Sequence, residues 1–185
     1  MRKSFFAVFA VIISVFIAVS ISARNRENKD APAEQHIELA KITVTAPPLN
    51  RQESLERKTV GASKDKIKTA YFFSSSYKNI DYLVHYCEYK SEVNLQSGVD
   101  SLISKFKNNN LKYEVKEAGM DPYTGMLLEG SFEKDGKKFA IKDLLIKNKT
   151  GFWQIMSIYP YSKRNNKAAE SFIKSVSFGS YADEK

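Results

Sequence analysis

The stretch Met126–Lys147, MLLEGSFEKDGKKFAIKDLLIK, decides how this chain folds. At its centre stands Asp135-Gly136, a pair that accepts the positive φ angles of a type I′ turn, and so predicts a hairpin between strands 126–134 and 137–147. A turn at that place fixes the register. Phe132 then faces Phe139, Gly130 faces Ile141, Leu128 faces Asp143 and Met126 faces Leu145 on one side of the ribbon. Glu133 faces Lys138 and Glu129 faces Lys142 on the other. An aromatic pair and two opposite-charge pairs are combinations that cross-strand neighbours favour, so the register supports itself.

Toward the C-terminus, Asn148–Gly151 reads as a second turn leading into Phe152–Tyr159. That strand is apolar on both faces, which predicts a place in the middle of the sheet. Pro160 ends it, and Ala168, Ala169, Phe172, Ile173 and Val176 recur at helical steps over about 165–175, with Gly179 as the stop. Toward the N-terminus, 111–118 alternates as a strand and 119–125 reads as a loop. Leu95, Val99, Leu102, Ile103 and Phe106 form the stripe of an amphipathic helix, with Asn94 as its N-cap. Asp81–Lys90 is a strand, and Tyr71–Ser74 a short one before it. The expected fold class is α+β, an antiparallel sheet of about five to six strands with two helices packed on it, forming one domain over 67–180.

The first residues read as an address. Arg2 and Lys3 precede the apolar run Phe5–Val19, interrupted only by Ser14, and Ser20-Ile21-Ser22-Ala23 follow. This order is that of a secretory signal peptide, cut after Ala23 or after Ser20. The rival reading is an uncleaved membrane anchor, since the run approaches the roughly 20 residues that span a bilayer as a helix. Either way the protein is expected to be exported, to the periplasm or beyond, or held at the inner membrane. Residues 24–66 hold three of the five prolines and no aromatic residue, which predicts a flexible polar linker. Within it Ile42-Thr43-Val44-Thr45-Ala46 alternates like a strand and resembles the TonB box through which outer-membrane receptors engage their energy-transducing partner. The competing reading is a tether that happens to contain β-branched residues.

Cys87 is the only cysteine, so no internal disulfide forms and stability rests on packing. The formal charge of +8 would suit anionic lipid, cell-wall polymer or nucleic acid without choosing among them.

A resemblance rests on the strand and helix from Tyr82 to Phe106, on Gly125–Glu129, and above all on Gly151-Phe152-Trp153-Gln154-Ile155, Tyr159-Pro160, Ala168-Ala169 and Phe172–Phe178. Over roughly 81–178 the chain resembles the PsbP-like family, to which small bacterial envelope proteins of the DcrB type are also similar. The resemblance implies an exported antiparallel sheet between helices, used for assembly or binding. It implies no common reaction and brings no site residue with it.

Three side chains carry chemistry worth weighing. His85 and Cys87 stand two apart in a strand and leave the same face, either as a thiolate nucleophile or half metal site, or as an inert pair under a helix. Asp143 falls among Leu128, Ile141 and Leu145, where a carboxylate sits at the rim of the buried area, finds a partner, or has a raised pKa suited to acid-base work. His36 lies in the linker. The aromatics Tyr71, Phe72, Phe73, Tyr77, Tyr82, Tyr86 and Tyr89 either stack on a ligand or pack the core. No phosphate loop, nucleophile elbow or metal-ligand cluster is present. The expectation is a non-catalytic envelope domain without cofactor or metal, binding a protein or polymer partner and no nucleic acid, and touching the membrane through its N-terminal segment if uncleaved. The alternatives are an enzyme with a pocket near His85, Cys87 or Asp143, and a polyanion-binding module.

Overall fold

A computed structural model describes residues 30–62, 65–108, 112–119, 122–163 and 166–179. The apolar run Phe5–Val19 and the cleavage position Ala23 lie outside the described residues. Among those described, no helix is long and apolar enough to cross a membrane.

The described chain is mostly β. Its strands are β1 Ala33–Ile37, β2 Ile42–Ala46, β3 Asn50–Arg51, β4 Ile67–Tyr77, β5 Ile80–Tyr89, β6 Lys112–Glu117, β7 Thr124–Lys134, β8 Lys137–Lys147, β9 Gly151–Pro160 and β10 Ser177–Phe178. Among the described residues three short α-helices, α1 Glu53–Ala62, α2 Leu95–Asn108 and α3 Lys167–Lys174, accompany them. Seven strands form one antiparallel sheet in the order β3-β4-β5-β9-β8-β7-β6, and three form a second, β1-β2-β10. The expected α+β fold with five or six strands and two helices is therefore overturned.

The Asp135-Gly136 hairpin has the register deduced from its turn: Phe132 faces Phe139, Glu129 faces Lys142 and Leu128 faces Asp143. Asp135 and Gly136 both take positive φ, 51° and 69°, as the turn type demands. β9 lies between β5 and β8 at the centre of the large sheet. Its side chains are buried on both faces from Gly151 to Tyr159.

The correction to the fold class comes chiefly from the supposed linker. From Ala33 to Ala62 that stretch folds into β1, β2, β3 and α1. Ile42, Val44 and Ala46 of β2 are completely buried, so this segment is a core strand and not an exposed docking peptide. The physical reason is that β2 needs few apolar side chains of its own, because the large sheet supplies the rest. Ile37, Ala40, Ile42, Val44 and Ala46 pack with Tyr82, Val84, Tyr86, Trp153 and Ile155 from the large sheet and with Phe172 and Ile173 from α3. β10 closes the small sheet by pairing Ser177 with Thr43 and Phe178 with Ile42. The indole of Trp153 donates to the carbonyl of Ala40 at 2.6 Å and ties the two layers together.

The other face of the large sheet is covered by α1 and α2. Leu55, Leu95 and Val99 pack there on Phe72, Leu83, Cys87, Leu145 and Met156. α2 begins where expected, with the Asn94 side chain accepting from Ser97 N at 3.1 Å. The aromatics before α2 pack the core: Phe72, Phe73, Tyr82, Tyr86 and Tyr89 are all buried.

Candidate functional site

On the face covered by the small sheet and α3, Ala140, Leu144 and Ile146 of β8 are buried in the shared core, while the strip carrying Lys112, Glu114, Glu129 and Lys142 stays open. There lies a groove of about 440 Å³ lined by Lys112, Glu114, Glu129, Ser131, Lys142, Tyr159 and Tyr161 among others. Its floor is built by register. Glu114 faces Glu129 across β6 and β7, Glu129 faces Lys142 across β7 and β8, and Lys142 faces Ser157 across β8 and β9. The same row continues inward under the second layer to Tyr82 and Ser75. A single line of polar side chains thus crosses the sheet, open at the groove and closed at the other end. The hydroxyls of Ser157, Tyr82 and Ser75 have no hydrogen-bond partner among the described residues.

Two lysines meet at Glu129. Lys116 Nζ lies 2.8 Å from its Oε2, and Lys142 donates to its Oε1. Partial burial pushes the Glu129 carboxyl up, but the two lysine hydrogen bonds outweigh burial and hold it below the usual carboxylate range. Tyr159 forms the inner wall, its phenol pushed up to about 12 by burial. Tyr161 stands at the mouth with Lys138 Nζ 4.0 Å from its ring centroid. Gly130, on the opposite face from Glu129 and Lys142, lets β6 lie close behind the floor. A Cβ there would meet the carbonyl oxygen of Lys112 at 2.5 Å, so a larger residue would push β6 away.

The side chains singled out in the sequence lie on the opposite face, under α1 and α2. His85 and Cys87 leave β5 together, with Cys87 Sγ 2.9 Å from His85 Nε2. Gln154 of β9 stands directly opposite His85, and its amide donates to Asp143 Oδ2 on β8 at 2.7 Å. The Phe72 ring stacks on the imidazole at a centroid distance of 4.0 Å. The fold therefore does bring Cys87, His85 and Asp143 together, through a residue that sequence reading passes over. Asp143 is not at the rim: it, His85, Cys87 and Gln154 are all completely buried. Burial drives each titratable group toward its neutral form. It lowers His85 to about 3 and raises Asp143 to about 7, each partly offset by Gln154, and it pushes the Cys87 thiol up. Sealed in apolar packing and driven toward their neutral forms, these groups make a buried polar cluster in which burial works against the thiolate that nucleophilic chemistry needs.

His36 is exposed on β1 beside Thr43 and joins none of these groups. Among the described residues, no cluster of three or more His, Cys, Asp or Glu side chains is arranged to hold a metal ion. Sequence reading misses the groove because its residues come from separate places in the chain and acquire meaning only in register. The available signal is the Glu129–Lys142 pairing, which reads as hairpin support and not as the floor of a site.

No family model matches the chain and no curated protein matches it, so the PsbP-like resemblance gains no support from either comparison. Among solved structures, the fold is similar to that of LpqN from Mycobacterium tuberculosis, a protein involved in cell envelope biogenesis. The two share 11% identity at a TM-score of 0.50, over 82% of this chain and 87% of that one. Weaker likenesses are to a Pseudomonas aeruginosa protein of unknown function (8% identity, TM-score 0.43, 77% and 95% covered) and to a Bacteroides thetaiotaomicron structure (9%, 0.47, 84% and 52%). At these identities the likeness concerns the fold alone.

Proposed function

We propose that this protein is an exported, non-catalytic binding domain of the bacterial cell envelope, and that the open groove on β6, β7 and β8 receives its ligand. The observation that carries the reading is the groove itself, a concave polar surface walled by Tyr159 and Tyr161 and floored by Lys142 and Glu129. Sites of this kind hold a ligand through a few placed polar groups and aromatic walls. Lys112 and Lys142 line it against Glu114 and Glu129, with Lys116 on Glu129 and Lys138 at the mouth, so the groove carries a small positive excess. With Lys116 and Lys142 already paired to Glu129, the groove suits a polar partner, such as a segment of envelope polymer or protein, held by a few groups. LpqN's part in cell envelope biogenesis fits the same setting.

Access favours binding over catalysis, because the groove is open while the His85, Cys87 and Asp143 side chains are sealed. The test is site-directed photocrosslinking in intact cells, with the photoreactive residue at Tyr161 and, as a control, at the exposed Leu39 in the turn between β1 and β2. An envelope component captured from Tyr161 and not from Leu39 supports the reading. Equal capture from both, or none from Tyr161, rejects it.

A further inference from the structure

We infer that β6 is a self-pairing edge, through which two copies of this chain join their large sheets into one. Among the described residues β6 is the last strand of the seven-stranded sheet, bonded on one side to β7. Ala118 N donates to Gly125 O at 3.0 Å, so the residues in step with Ala118, namely Glu114 and Lys116, turn their backbone groups toward β7. Val115 and Glu117 turn theirs outward. An antiparallel partner must match outward residues with outward residues, which permits only every second register.

The occupant follows from the charges. Exposed edge strands commonly carry lysines whose mutual repulsion prevents pairing. The strand Lys112-Tyr113-Glu114-Val115-Lys116-Glu117 instead alternates its signs. Two permitted registers pair five of its residues with a second copy. Centred on Glu114, the arrangement sets Glu114 against its own copy and Lys112 against Lys116. Centred on Val115, it sets Glu114 against Lys116 of the other copy, and Lys116 against its Glu114. The second is self-complementary, and opposite charges directly across a strand pair stabilise it. The Glu114 side chain is two-thirds exposed, and its contact with Lys116 of its own strand is a loose one at 3.4 Å, so it can turn to the other copy. Opposed residues in an antiparallel pair point to the same face, so the two grooves, each bounded by Lys112 and Glu114, become halves of one trough across the two-fold axis. This pairing is independent of what the groove binds.

The test is mass by light scattering during size exclusion, on the full chain in low-salt buffer. A single strand pair is a small interface, so dimerisation is expected at concentrations on the order of 10 µM. Glu114→Lys sets like charges against each other at both contacts with Lys116 and is expected to weaken pairing by about tenfold or more. Lys116→Glu weakens it similarly, and an equimolar mixture of the two variants regains the two-copy mass, because every pair across the axis is again opposite in charge. Val115→Pro, which removes an outward N–H and leaves the β6–β7 bonds intact, is expected to give one copy with an unchanged circular dichroism spectrum. A wild-type chain that stays a single copy at about 100 µM overturns the inference, as does a mixture that fails to regain the dimer.

Discussion

His85 and Asp143 are sealed in the same core and pull stability in opposite directions with pH. Asp143, raised from 3.8 to about 7, favours the fold while protonated, and that contribution fades as pH rises from about 4 to 7. His85, lowered from 6.5 to about 3, favours the fold while neutral, and that contribution fades as pH falls from about 6.5 to 3. Over the shared window the two slopes oppose each other. Asp143→Asn keeps an acceptor for the Gln154 amide and removes one slope. Relative to wild type, its stability in urea titrations is expected to rise by a few kcal/mol between about pH 4 and 6.5. A variant that tracks wild type across that window would show the Asp143 carboxyl to be hydrated. Alternation along β8 places Asp143 on the apolar face correctly, but it carries no measure of depth. Rim and centre look alike in a single strand, and only the position of β9 and α2 over β8 makes the difference.

At the scale of elements, hairpins are legible where the turn residues and the cross-strand pairs agree. The β7–β8 unit meets both conditions. The β4–β5 hairpin turns on Lys78-Asn79, both with positive φ, 48° and 64°, and Lys is an unfavourable residue for that region. Asn79 by itself is a weak turn signal and Lys78 reads against one, which is why the sequence suggests a short strand ending at Ser74 when β4 runs to Tyr77. Replacing the pair by Asn-Gly is expected to raise stability by about 1 kcal/mol, measured as an upward shift in Tm. α1 escapes notice for a different reason. Its stripe is poor in apolar residues, and it is held instead by Glu56, which accepts from Phe72 N at 3.2 Å and from the Arg51 guanidinium at 2.8 Å. Such long-range anchoring leaves no periodic trace.

For the whole molecule, residues 24–66 are misleading when judged by their own apolar content. A strand that borrows its core from the opposite layer needs only a few apolar side chains, and Ile42, Val44 and Ala46 suffice. Ile42→Ala is therefore expected to destabilise by about 2–4 kcal/mol, the range of a buried aliphatic truncation. A chain starting at Lys66 should fold poorly or expose Tyr86 and Trp153, seen as dye binding and loss of a cooperative melt. Full cooperativity in that truncation would mean that the small sheet is an accessory. The groove depends on the same layering, since Tyr159 of its inner wall belongs to the core shared by the two layers.

Trp153 is the chain's single tryptophan, and its indole is anchored to Ala40 at the joint between the layers. The molecule consequently carries its own optical gauge. Fluorescence from that one ring reports whether the N-terminal strands are seated, without an added label, because their departure would bring water to the indole and redden its emission.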